Sequence, residues 1–480
     1  MKPINIGGHT AYRHLLKESI EKYYPDTSII PSSTWTIIKK FRRLDLSKAD
    51  LLMQDKYSVF GPRPRLPSDM LRSLLLSIAF KITSIPKWVN EMRVCPLYAI
   101  LSGFSPGDTP GVGTFYDFID RLWDLESDNF SEHIKPLPVK VSKPKGKGQK
   151  ATSVEKESVK ELIDRLSDIT FSISSEAYGT LFSLFKELFI DNSVRLGIIN
   201  PGNLRLSGDG TPIVTSQRSR SNHACNCMKN GIYNCSCERY YPQPDCSIGW
   251  DSSRDKWYFG YDMYMLTDTS HDLPLFPLLH PASKHDSHGF CEAFFRFQSF
   301  LPDFKVSELL LDSAHDSFAI YNFCYSHNIV PFIDLNLGNS KKSSDYHGVS
   351  VGPDGVPVCP AGLKMKSNGN DLQRQYAKFR CPSMSADQKT CTCKTPCSDA
   401  KFGRTCCIPL KNNVRLYTTP PRTSDKWKSV YNYRTASERC NKRQKIDYLL
   451  EAGRHHSSKM WYIRVYLIMM LQHLDSWPEE

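Results

Sequence analysis

The chain has 480 residues, 40% of them hydrophobic, with 62 Lys and Arg against 50 Asp and Glu for a formal net charge of +12. That apolar content excludes a disordered chain and suffices for two to four domains, while the positive balance points to a polyanionic partner, nucleic acid before an anionic membrane. The longest apolar stretch, Trp461 to Leu471, contains Arg464 and falls short of the roughly 20 apolar residues of a spanning helix, so it predicts a buried helix and no membrane partner.

The opening MKPINIGGHT has no apolar signal core, which predicts a cytoplasmic chain whose 16 cysteines stay reduced. Clustered cysteines then suggest metal before disulfides. In LPSDMLRSLLLSIAF, Ser68 reads as an N-cap, and Met70, Leu71, Leu74, Leu75 and Ile78 form one apolar stripe. Phe115, Phe118, Ile119 and Leu122 repeat the device, so residues 1–134 read as a helical N-terminal domain. Residues 135–155 are rich in Lys, Pro and Gly and read as an exposed basic linker.

From about residue 195 the pattern changes to strands. LRLSGDGTPI ends an alternating run at Asp209, and KWYFGYDMYMLTD sets Trp257, Phe259, Tyr261, Met263 and Met265 on one face, read as core. The prolines of LPLFPLLH favour an edge strand. A helix through GFCEAFFRFQSFL precedes a short apolar strand ending at Asp312, then a helix through Tyr321 and Phe323 and a strand at IVPFIDLN. The expected class is α/β, a mixed sheet with helices on its faces. Residues 338–429 are loop-rich with seven cysteines, and 430–480 return to helix.

The chemistry is concentrated in VYNYRTASERCNKRQKIDYLL, where Tyr431, Arg434, Glu438 and Lys445 fall within roughly 60° of one another if the segment is one helix. Such a stripe is commonly only a solvated face. Here Asp209 and Asp312 each follow an apolar strand, where a sheet edge can bring them to one crevice. Three carboxylates suit Mg2+ or Mn2+, and two such ions can drive an in-line phosphodiester displacement. Asp316 and Asp334 are fallback candidates for the second acid.

The spacing Tyr-x2-Arg-x3-Glu-x6-Lys, met by Tyr431, Arg434, Glu438 and Lys445, resembles the signature of bacterial insertion-sequence DDE transposases with a ribonuclease-H-like catalytic domain. SGDGTPI resembles their first Asp motif and LLLDSAHDS their second. GPRPRLPSDMLRSLLLSIAF resembles their helical N-terminal region, and CPAGLKMKS resembles members with a long insertion before the Glu. The resemblance implies Asp209, Asp312 and Glu438 as metal ligands, and Tyr431, Arg434 and Lys445 as contacts to the transposon end. It implies a catalytic core over 156–337 completed by 430–480, with a Cys-rich insertion at 338–429 between them. It also implies double-stranded DNA substrates with terminal inverted repeats, a homodimer in the paired-end complex, and a nucleoid-associated location. His315 stands where many relatives have Tyr, and the 125 residues between Asp312 and Glu438 are long for a plain ribonuclease-H fold. A metal-dependent nuclease without strand transfer, or a non-catalytic zinc-stabilised DNA-binding descendant, would share these features.

Cys225, Cys227, Cys235, Cys237 and Cys246 form one cluster; Cys359, Cys381, Cys391, Cys393, Cys397, Cys406 and Cys407 form another. Their C-x-C and C-x3-C spacings differ from the usual zinc pair C-x2-C. Structural Zn2+ in at least one cluster, with Cys381, Cys391, Cys393 and Cys397 as the named set, stands beside free or buried thiols. His280, His285 and His288 read as loop bystanders. Arg218 and Arg220 read equally as DNA contacts or solvated charges.

Overall fold

The computed structural model describes residues 2–3, 7–137, 157–216, 219–338, 343–384, 393, 396–400 and 403–479. Its centre is a six-stranded mixed sheet: β1 (Leu204–Val214), β2 (Ser247–Asp251), β3 (Lys256–Asp268), β4 (Leu273–Pro281), β5 (Val306–Leu311) and β6 (Val330–Ile333). β1 runs antiparallel to β3 and parallel to β5, β5 runs parallel to β6, and β2 and β4 both pair antiparallel with β3. The first long strand therefore lies in the middle, between the antiparallel and the parallel halves.

Helices cover both faces, which explains why β4 and β5 read as near-continuous apolar runs. α1 (Asp286–Phe300) packs on β1, β3 and β4, while α2 (Thr435–Ile446) packs on β1 and β3, and α3 (Ser458–Ser476) packs on β4. β4 pairs only with β3, so Pro274 and Pro277 sit on an edge, where their missing N–H groups break no second ladder.

The N-terminal helices, among them Gly8–Tyr23, Ser32–Arg43 and Pro67–Ala79, share one continuous apolar core with the sheet. Met70, Leu71, Leu74, Leu75 and Ile78 are buried there as the stripe predicts. Ser68 is not the cap: Pro67 opens the helix, and the buried Ser68 donates its backbone N–H and its Oγ–H to Asp50 at 2.8 and 2.9 Å. α3 carries the Trp461–Leu471 stretch and is buried nearly all round. Its Arg464 is satisfied inside the core, with Nε donating to the Leu450 carbonyl at 2.9 Å and Nη2 to that of Leu449 at 2.6 Å. Among the described residues no helix is long and apolar enough to cross a membrane.

Two expectations need correction. Trp257 is 69% exposed and meets Trp250 edge-on at 5.1 Å, because the start of β3 pairs only with the edge strand β2 while Tyr261, Met263 and Met265 further along carry the core. The loop-rich segment also contains a three-stranded antiparallel sheet, Lys366–Asp371, Tyr376–Arg380 and Thr405–Pro409, over its own small core including Cys359, Phe379, Cys406 and Ile408. At least Cys359 and Cys406 are thus packing residues. Most of the basic segment 135–155 lies outside the described residues, but Ile134–Lys135 pairs antiparallel with Arg239–Tyr240.

Candidate functional site

Asp209 sits in mid-β1, flanked by Gly208 and Gly210, whose α-carbons face the opposite side of the sheet. Space is tight at both glycines: a Cβ on Gly208 would lie 2.5 Å from the hydroxyl of the rigid Tyr264 ring, and one on Gly210 would lie 2.7 Å from Asp286 Oδ1, forcing that carboxylate to shift. The S-G-D-G string thereby lets Tyr264 and α1 close on one face while Asp209 projects from the other toward α2, where Asn441 Nδ2 lies 3.4 Å from its Oδ2.

Asp312 follows β5 directly and caps a short 3-10 turn, Ser313–His315, accepting from the Ala314 N–H at 3.0 Å. His315 is buried and bridges two partners: its Nδ1 lies 2.6 Å from Asp312 Oδ1 and its Nε2 2.8 Å from the Tyr264 hydroxyl. The ring donates from Nδ1 to the Asp312 carboxylate and hydrogen-bonds through Nε2 to the Tyr264 hydroxyl. His315 thus gives Asp312 an orienting partner.

Tyr431, Arg434, Glu438 and Lys445 do not share one regular helix. Tyr431 ends Asp425–Tyr431, Arg434 lies in the 3-10 turn Asn432–Arg434, and Glu438 and Lys445 belong to α2. The tighter turn changes the angular spacing that a uniform helix would give. Glu438 is 50% exposed and accepts from Arg434 Nη2 at 2.6 Å, and the Arg434 guanidinium lies 5.9 Å from the Tyr431 ring centre. Tyr431 in turn stacks on Trp427 at 4.4 Å. Lys445 is turned to another partner, with its Nζ 3.9 Å from Glu451.

Burial pushes the Asp209 carboxyl up to about 7, with the negative charges of Asp312 and Asp286 adding to the effect. At Asp312 burial acts in the same sense, but the His315 hydrogen bond and charge and the Ala314 N–H outweigh it and hold that carboxyl below the usual range. Two further acids come into this neighbourhood that the sequence reading did not single out. Asp286, the first residue of α1, and Asp262 on β3 both lie against Gly210, and burial followed by the charge of Asp286 holds Asp262 well above the carboxylate range. Strand alternation could have flagged Asp262, a lone acid among Tyr258, Gly260, Tyr264 and Leu266 on one face of β3.

Asp209, Asp312 and Glu438 therefore share one electrostatic neighbourhood without forming a converged set of ligand atoms. Of the fallback acids, Asp316 is an interior partner of Arg415 at 2.8 Å and of the Asn336 N–H at 2.7 Å, and Asp334 is exposed beyond β6. His280 is buried against Gly289 with burial pulling its pKa down to about 4, His285 caps α1, and His288 contacts the Glu157 carbonyl at 2.9 Å. Arg218 lies outside the described residues.

Among the described residues, the group whose ligand atoms do converge is Cys225, Cys227, Cys235 and Cys237, all within 4.8 Å of one another, and it can bind a metal such as zinc. Of the set Cys381, Cys391, Cys393 and Cys397, Cys391 lies outside the described residues and the others form no such group among them. The sequence matches no protein-family model and no curated protein.

Proposed function

We propose that the chain is a DDE-type DNA transposase that cleaves transposon ends and joins them to target DNA. The observation that carries this reading is positional: one acid in the middle of the central strand, one just past the adjacent parallel strand, and one on a helix packed over the central strand and its antiparallel neighbour β3. The strand order, third, second, first, fourth, fifth when the extra edge strand β2 is set aside, supports a ribonuclease-H-like catalytic fold. A groove lined by His9, Arg13, Lys39, Lys40, Arg42 and Arg43 of the N-terminal helices, with Glu479 also lining it and Lys40 paired to Asp475, is basic on balance and supports engagement of a DNA backbone by that region.

Asp209, Asp312 and Glu438 offer only oxygen, the donor chemistry a hard divalent cation prefers; their carboxylates do not converge as they stand, and a cation that drew them together would relieve the repulsion around Asp209. Mg2+ or Mn2+ held there supplies activation of a water or DNA 3'-hydroxyl and stabilisation of the leaving oxygen. His315 fixes the Asp312 carboxylate. Arg434, released from Glu438, offers a planar two-pronged donor to a phosphate. Lys445, partnered with Glu451, adds positive charge to the helix that carries Glu438.

Two variants probe the carboxylate site directly. His315→Ala is expected to weaken divalent-cation binding and DNA cleavage by about 10- to 100-fold, as loss of a carboxylate's orienting partner commonly does. Thermal stabilisation by Mg2+ and cleavage rate measure the two effects, and a fully active His315→Ala with an unchanged Mg2+ midpoint would remove His315 from the site.

The second concerns pH. The folded pKa of Asp209, about 7, exceeds the ordinary aspartate value of 3.8, so its contribution to stability is fully present below 3.8 and is lost as pH rises through about 7. Asp209→Asn is therefore expected to raise Tm without metal, more at pH 8 than at pH 5, and to abolish the stabilisation by Mg2+ that is expected of the wild type. An equal Tm gain at both pH values contradicts the buried-acid account.

The function itself is tested with purified protein, Mg2+ and DNA carrying the ends that flank its own coding region. Cleavage at the ends with joined products identifies a transposase. Cleavage without joining indicates a nuclease, and end binding without cleavage indicates a non-catalytic DNA-binding protein.

A further inference from the structure

The tetrad of thiols lies in a small ribbon between β1 and β2, away from the carboxylates. Asn222 pairs with Tyr240 and His223 with Arg239 in antiparallel register, which brings the C-x-C at 225–227 against the C-x-C at 235–237. Gly231 turns the chain between them with φ 79°, a left-handed conformation that glycine adopts without strain. The sulfur atoms of Cys225 and Cys235 are 3.5 Å apart and those of Cys227 and Cys237 are 3.7 Å apart. A regular tetrahedron of thiolates with Zn–S bonds of about 2.3 Å has edges of about 3.8 Å, so the spacing is that of a zinc cage rather than of two disulfides at about 2.05 Å.

The surroundings suit bound thiolates. Arg239 donates from Nη1 to Cys235 Sγ at 3.4 Å and to the Cys237 carbonyl at 2.6 Å, and from Nη2 to the Cys235 carbonyl at 2.9 Å, fixing the second C-x-C in place and placing a positive charge beside it. Cys246 is turned away, donating to Gln243 Oε1 at 3.3 Å, and stands outside the set.

We infer that Cys225, Cys227, Cys235 and Cys237 form a structural Zn2+ site that holds the ribbon closed and clamps the end of the N-terminal helical region to the catalytic sheet. The path is continuous. Arg239 and Tyr240 pair with Lys135 and Ile134, His133 stacks on Tyr240 at 5.1 Å and exchanges backbone and ring hydrogen bonds with Tyr241, and the buried Asp245 accepts from the N–H groups of Phe130 and Ser131 at 2.8 Å. Asp245 also accepts from Ser458 Oγ at 2.5 Å, and Ser458 Oγ lies 3.0 Å from the Tyr261 hydroxyl on β3. With two C-x-C pairs on a loop of mostly short-range contacts, the metal supplies the cohesion that an apolar core supplies elsewhere.

Metal analysis of the full chain tests this. About one zinc per chain is expected, falling to background in the Cys225→Ser, Cys235→Ser double variant and retained in Cys397→Ser. Zinc unchanged in the double variant, iron in its place, or a metal-free wild type with a Cys225 to Cys235 disulfide overturns the site. Should the double variant fail to fold, Co2+ exchanged into the wild-type chain gives a second reading. A thiolate-to-cobalt charge-transfer band of four-thiolate intensity is expected, and its absence overturns the assignment. Chelation of the wild type is further expected to open residues 222–240 to protease while the sheet stays resistant; an unchanged digestion pattern contradicts the clamp.

Discussion

Asp209→Asn is expected, on the proposed transposase reading, to abolish DNA cleavage and strand joining, a loss of at least about 1000-fold, while binding of the DNA ends persists, because on that reading only the metal-assisted step loses its ligand. The size of the effect follows from position. Asp209 is the acid nearest the middle of the sheet, it projects toward the helix that carries Glu438, and burial with Asp312 and Asp286 makes its ionised form costly unless a cation is present. Asn keeps the shape and removes the charge. Gel retardation and cleavage on the same DNA separate the two functions, and a variant within tenfold of wild type in cleavage would remove Asp209 from the active centre.

The second large effect concerns stability. Trp461 is fully buried at the start of α3, edge-on to His455 at 5.0 Å, in the core that joins the N-terminal helices to the sheet. Trp461→Ala is expected to destabilise the fold by about 3–5 kcal/mol through lost burial and the cavity left behind. Since the core is continuous, N-terminal helix and sheet signals should shift together in denaturant. A shift below about 1 kcal/mol, or one confined to the helices, would mean that the two regions fold on separate cores.

Strand periodicity anticipated most of the central sheet because its two driving patterns are local. Alternation places Tyr261, Met263 and Met265, and proline chemistry places β4 on the edge. What sequence spacing could not carry was a change of helical pitch. The 3-10 turn at Asn432–Arg434 is set by packing of Trp427 and Val430 against Leu310 and Phe332, contacts more than 90 residues distant in the chain.

The acids show the same division. Asp209 and Asp312 were legible because each ends or interrupts an apolar run. Asp262 was within reach of strand alternation, but its meeting with Asp286 beside Gly210 was not, since that depends on strand register and on how α1 enters the sheet. The cysteines were legible as clusters, yet only the pairing of Asn222–His223 with Arg239–Tyr240 distinguishes four converging thiols from the packing thiols Cys359 and Cys406.

The central claim, that these carboxylates perform DNA transposition, is tested most directly by excision. A marker is placed between the DNA ends that flank the coding region, and the protein is supplied as wild type or as Glu438→Ala. Excision by the wild type alone is the predicted result; excision by both, or by neither while the ends are bound, would contradict it.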